Sequence, residues 1–186
     1  MDRKINTDII KVTPEMEGRF LAYLHRHQRA VAQYARKLFK RGLISRGLMR
    51  DISTFHDMSK TEEPEFTPYV KRKWFEREGS PELYKKMGDD VKQAIVHHVT
   101  TNSHHPEYWS DDYRGFDTNA PCHVNDMPND CVVEMICDWM AMGDERGNTA
   151  EEWYEKVKDT RWIFDRATNI RILNWLETFK NIENGI

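Results

Sequence analysis

The sequence predicts an all-α protein, a bundle of about six or seven helices. Apolar residues recur every three to four positions over long stretches, the period of one helix face. Prolines and small polar residues stand where helices start, and glycines where they stop. Runs of alternating β-branched residues, the mark of strands, are rare. The 186 residues are 39% hydrophobic and 32% charged, a globular mix that can bury one sizeable core. The expected organisation is a single domain over residues 1–186.

Taken in order, Thr13-Pro14 is a cap followed by proline at the first helical position, and Phe20, Leu21, Leu24, Val31, Ala35 and Leu38 follow at helical spacing. A helix is predicted from about 14 to 40, ended by Gly42. A second runs from about 45 to 57, and a third from Pro64 to about Phe75. Gly79-Ser80-Pro81 breaks the chain, and helix resumes to about Asn102. The stretch 103–128 holds Pro106, Gly115, Pro121 and Pro128 and reads as irregular. So long a connection in a compact domain is often functional; it is expected to border a substrate pocket and partly cover a metal. Helix returns over about 129–142, capped by Asn129 or Asp130 and ended by Gly143. Asn148 is placed to cap a helix from Thr149 to about Lys158. The last helix, about 166–182, is expected to bury Ile170, Ile172, Leu173, Leu176 and Phe179.

The net charge of −3 gives no broad basic field for nucleic acid. The local group Arg36, Lys37, Lys40 and Arg41 fits a solvated helix C-terminus, which favours cations. No apolar run reaches the roughly 18 residues that span a bilayer, and the first residues lack the apolar core of a signal peptide. No membrane partner and a cytoplasmic location are therefore expected. Cys122, Cys131 and Cys137 form no CxxC pair and read as buried or idle thiols. Cys122-His123 could pair a nucleophile with a base, but no orienting partner is evident. Tyr108, Trp109, Trp139, Trp153, Tyr154 and Trp162 read as core aromatics before base-stacking ones.

Histidine stands out. Four of eight, His97, His98, His104 and His105, fall within nine positions, and neutral imidazole is the commonest protein metal ligand. His56-Asp57 offers an imidazole nitrogen beside a carboxylate oxygen, a pair that works best at a helix end. Asp138 stands among Met135, Ile136, Cys137, Trp139 and Met140, where a carboxylate is costly unless paired or metal-bound. Glu134 lies one turn earlier, so the two carboxylates can share a face and favour a cation, or else a buried Arg or Lys. If helix continues past residue 102, Val91, Ile95, His98, Asn102 and His105 share one face, with His97 and His104 to one side.

The order His27, His56-Asp57, Asp138 resembles the H…HD…D signature of the HD-domain superfamily, and His56-Asp57-Met58-Ser59-Lys60 is similar to its His-Asp-x-Gly-Lys form. The resemblance spans roughly 20–145, with C-terminal helices over about 148–183 packing on that core. The chain also resembles a group of small HD-like proteins from phages and bacteria with a His-His-Pro-Glu-Tyr-Trp stretch, here His104 to Trp109. The resemblance implies a helical bundle holding one or two divalent metals. Positions matching His27, His56, Asp57 and Asp138 hold the first. His27 is preferred over His25 because its spacing to Val31 matches the family. Two histidines from the 97–105 group, with His98 and His105 favoured, would hold a second.

The expected activity is metal-assisted hydrolysis of a nucleotide or other small phosphate ester. Mn, Fe, Co, Ni or Zn suits nitrogen-plus-oxygen ligands better than Mg alone. Lys60, His97 and His104 would offset developing charge or protonate the leaving group, and Lys60, Asn102 and Glu134 would contact substrate. Two alternatives stand beside this: a di-iron oxygenase of the HD type, and a non-catalytic module that uses a metal structurally or senses a nucleotide.

Overall fold

A computed structural model describes residues 11–77, 88–115 and 120–185. Among these the architecture is all-α with one small sheet. In order come α1 (Pro14–Lys40), α2 (Arg46–Phe55), a 3-10 turn (Met58–Thr61), α3 (Phe66–Arg77), α4 (Asp89–Thr101) and a second 3-10 turn (Pro106–Trp109). Strand β1 (Cys122–Val124), α5 (Asn129–Arg146), α6 (Ala150–Val157), β2 (Trp162–Phe164) and α7 (Arg166–Glu183) complete the chain. Strands β1 and β2 pair in parallel, Cys122 opposite Trp162 and Val124 opposite Phe164. No described helix is long and apolar enough to cross a membrane.

Helix α1 follows its sequence pattern. Met16, Phe20, Leu24, His27, Val31, Ala35 and Leu38 are all buried, a stripe three to four residues apart that puts His27 on the core face. The residues fall into two compact units. Of the described residues, one holds 11–26, 57–77 and 88–102, the other 27–56, 103–115 and 120–185. In the first, Met16, Phe20 and Leu24 of α1 bury against Val70 of α3, with Phe66, Tyr69 and Trp74 packed around them. In the second, Val31, Ala35 and Leu38 join Ile52 of α2, Ile136 and Met140 of α5, and Ile172, Leu176 and Phe179 of α7. Trp139 stacks on Trp162 with centroids 6.0 Å apart, tying α5 to the sheet.

Several boundaries differ from the sequence expectation. Helix α5 does not stop at Gly143; it runs to Arg146, and Gly147, at φ +73°, is its C-cap. Gly143 serves close approach instead, since a Cβ there would lie 2.5 Å from the backbone oxygen of Asn148. The cap of α6 is Thr149, not Asn148: its hydroxyl accepts from the Glu152 amide while the Glu152 carboxylate accepts from the Thr149 amide, a capping box. On α7, Ile170 and Leu173 are half exposed at 47% and 46%. The buried stripe is Thr168, Ile172, Leu176 and Phe179, three to four residues apart. Helix α2 ends at Phe55 and α3 begins at Phe66, so His56 and Asp57 lie outside regular helix. The break at Gly79-Ser80-Pro81 and the start of the following helix lie outside the described residues.

Candidate metal centre

In the second unit, three elements bring His27, His56 and Asp138 together. His27 comes from the buried stripe of α1. Asp138 lies on α5, one turn after Glu134. His56 is the C-cap of α2, and its carbonyl accepts from Gln28 Nε2 at 2.8 Å, which fixes the cap against α1. His27 Nε2 lies 3.3 Å from His56 Nε2 and 3.0 Å from Asp138 Oδ1. His56 Nε2 lies 3.8 Å from the same Asp138 oxygen. His27 and His56 are buried, while Asp138 keeps 16% side-chain exposure, enough for a ligand to approach.

The protons explain why these atoms converge. His56 Nδ1 lies 2.9 Å from Glu134 Oε1. A carboxylate can only accept, so this contact makes Nδ1 the protonated nitrogen and leaves Nε2 with its lone pair. Two imidazole nitrogens and a carboxylate oxygen then face one another, and a proton or a cation must lie among them. Ligands 2.0–2.1 Å from a metal lie about 3.0 Å apart at cis octahedral positions and about 3.4 Å apart at tetrahedral ones. Two edges of the observed triangle, 3.0 and 3.3 Å, match these spacings, and the third, 3.8 Å, is longer. The three residues are placed so that they could hold a metal ion. His104 is buried beside this group, its ring centroid 4.6 Å from that of His56 and its Nδ1 3.4 Å from Glu134 Oε1. His56, His104 and Glu134 are themselves close enough to hold an ion.

The first unit has its own polar group. Asp57 adopts left-handed backbone at φ 58°, ψ 18°, tolerable for aspartate and poor for most residues. Its Oδ2 accepts from Lys60 Nζ at 2.5 Å, and its Oδ1 lies 3.1 Å from His98 Nε2. Glu65 is fully buried and takes His98 Nδ1 at 2.9 Å, His97 Nδ1 at 2.8 Å and the Ser59 hydroxyl at 3.0 Å. Asn102 Nδ2 donates to Ser59 Oγ at 3.0 Å and to the His98 carbonyl at 2.8 Å. Burial alone would raise the Glu65 pKa, but the hydrogen bonds from His98, His97 and Ser59 outweigh it and hold the carboxyl below its ordinary value.

The expectation that His98 faces inward and His97 to one side holds: His98 is buried and the His97 side chain is 41% exposed. The same phase argument fails for the next pair. Helix α4 ends at Thr101, so phase is lost and His104 is the buried member while His105 is half-buried. Glu134 meets His56 and His104 directly. His25 is exposed.

Sequence reasoning missed Glu65, which is one of several acids before Phe66, and the role of Glu107. Glu107 is buried and pairs with Arg161 at 2.8 Å, which anchors the turn after His104-His105. Part of the 103–128 segment lines a cavity of about 520 Å³, where Glu107, Tyr113 and Cys122 meet Arg161 and Trp162. Residues 116–119 of the segment lie outside the described residues. Cys122 and His123 cannot act as a dyad. They are consecutive strand residues, Cys122 inward and His123 outward. His123 does have an orienting partner, Asp112, at 2.7 Å, but at the surface.

The model of one protein family, described as "Family of unknown function (DUF5662)", matches residues 16–181. The chain belongs to that family. No curated protein and no solved structure matches it. The DUF5662 match opens at Met16, the first buried residue of α1, and closes within α7. It thus includes His27, His56, Asp138, Glu134 and Glu65. The family description carries no activity, and the histidine–aspartate group is compatible with an HD domain.

Proposed function

We propose that this DUF5662 member is an HD-type metal-dependent phosphohydrolase acting on a nucleotide or another small phosphate ester. One observation carries the proposal: the two imidazole Nε2 atoms and the Asp138 oxygen meet within 3.8 Å, with Glu134 fixing the proton of His56 on its far nitrogen. A divalent metal there supplies Lewis acidity and a hydrolytic nucleophile at neutral pH. The chain's own residues do the rest. His27, His56 and Asp138 bind, Glu134 orients His56, and His104, buried against both, is placed to carry a proton to a leaving group.

The test begins with elemental analysis of full-length chain purified anaerobically. A transition metal near stoichiometry is expected, lost from Asp138→Ala and His27→Ala. Glu134→Gln should keep the ligands but weaken metal affinity about 10- to 100-fold. Phosphate release is then measured over a panel of nucleotides and phosphate monoesters. Full metal content in Asp138→Ala would remove the metal assignment. Metal present without phosphate release, but with substrate-dependent oxygen consumption, would move the function to the oxygenase reading.

A further inference from the structure

The first residues of β1 and β2, Cys122 and Trp162, wall the cavity of about 520 Å³ together with the second 3-10 turn. That volume is within the range of small-molecule sites. Two of the lining side chains carry a buried polar atom with no hydrogen-bond partner among the described residues, Glu107 Oε2 and Trp162 Nε1. Glu107 is 2% exposed and Trp162 3%, and a buried donor or acceptor left unpaired is costly. The other Glu107 oxygen accepts from Arg161 Nη2 at 2.8 Å. The Arg161 guanidinium lies over the Trp162 ring, 4.5 Å from its centroid. Ion pair and stack together fix the guanidinium plane, and its remaining N–H groups make no other hydrogen bond among the described residues.

The groups left to a ligand are one acceptor and several donors. Glu107 Oε2 accepts, while Arg161, Trp162 Nε1 and the Tyr113 hydroxyl donate. Burial, and then the charge of Glu107, push the Tyr113 pKa up to about 12, so this hydroxyl keeps its proton. The other charged side chains of the wall are engaged elsewhere. Asp112 holds His123 at 2.7 Å, and Arg114 Nη1 donates to the carbonyls of Asp111 and Tyr113. Glu107 and Arg161 cancel as a pair, which favours an uncharged ligand over an ion of either sign. We propose that this cavity binds a small cyclic imide, a uracil-type ring whose N–H donates to Glu107 Oε2 and whose two carbonyls accept from Arg161 and Trp162 Nε1. An imide carries acceptor, donor and acceptor along one edge, the complement of a carboxylate set among donors. A ligand carboxylate would meet Arg161 but bring a like charge to Glu107. The site uses none of the residues of the metal centre and does not rest on the hydrolase reading above.

Uridine carries the imide without a phosphate, so it probes this cavity apart from the metal centre. It is titrated into the full-length chain while the indole N–H resonances are followed by NMR, with Trp162→Phe assigning the Trp162 signal. A saturable shift of that signal is expected. Uridine methylated on its imide nitrogen, and cytidine, which has no N–H at that ring position, should bind at least about 10-fold more weakly, because each leaves a buried carboxylate oxygen unmatched. Glu107→Gln should weaken uridine by a similar factor and abolish its preference over the methylated form. No saturable shift with uridine, or equal affinity for uridine and its methylated form, overturns the proposal. Both outcomes are read on the wild-type chain, so they decide the matter even if Glu107→Gln does not fold. A folded Glu107→Gln that binds uridine as wild type does would also overturn it. Phosphate release plays no part in these outcomes, so this site and the hydrolase reading fail separately.

Discussion

At the scale of single residues, the backbone of Asp57 offers a test that needs no activity. At φ 58° a Cβ crowds the chain, which aspartate tolerates better than alanine and glycine does not feel. Asp57→Gly and Asp57→Ala lose the same contacts to Lys60 and His98. The glycine variant is therefore expected to be the more stable by about 1 kcal/mol in urea denaturation; an equal or reversed order would mean that this turn relaxes. Which residues were legible in the sequence follows from how each one is placed. His27 was readable because it sits on a long apolar stripe whose period fixes its direction. Asp138 was readable because a carboxylate among apolar neighbours needs a partner. Glu65 was not, because it follows Glu62 and Glu63 in what reads as a solvated acidic run, and only the tertiary fold buries it. Glu107 was visible within its motif, but Arg161, its partner, is 54 residues away.

At the scale of elements, caps decided most helix ends, and they can be measured. Asp165 caps α7, its carboxylate accepting from the amides of Ala167 and Thr168 at 3.1 and 2.8 Å. Partial burial works to raise its pKa, but those amides and Arg171 prevail and lower it. A carboxyl whose pKa is lowered by folding adds stability above its unfolded pKa, about 3.9, and loses it as pH falls through the folded value. Asp165→Ala should therefore cost about 1 kcal/mol at neutral pH, roughly 2–4 °C in Tm for a chain of this size. The gap to wild type should close as pH drops below the ordinary carboxylate range; a gap independent of pH would exclude the charged cap as its source. The start of α1 and the length of α7 were legible in the same terms, since a cap and an apolar period both announce them. Gly143 misled because a glycine reads as a stop unless one knows that the Asn148 carbonyl passes over it. Ile170 and Leu173 misled because an apolar residue need not be inward when its helix already has a full buried stripe.

At the scale of the whole molecule, a metal bound only by the folded chain must raise its stability by mass action. At 100 times the dissociation constant the gain is about 2.7 kcal/mol, several degrees in Tm. Added metal should raise Tm, chelator should reverse it, and neither should move His27→Ala or Asp138→Ala; an equal shift in those variants would place the ion elsewhere. The division into two units was not legible, since one boundary falls between Arg26 and His27 inside the unbroken helix α1 and no linker marks it. The small sheet has a consequence of a different kind. Cys122 pairs with Trp162 across an intervening stretch that contains α5 and α6. Closing so long a loop costs conformational entropy, so this pairing is expected to form after the helices it encloses. The amide of Asp165 donates to the carbonyl of Val124 at 3.0 Å, and the same residue caps α7. The sheet is therefore a clasp whose opening also frees the first turn of the last helix. In hydrogen exchange the amides of Cys122 and Asp165 should open together with those of Ala167 and Thr168, as one cooperative event rather than as separate frayed ends.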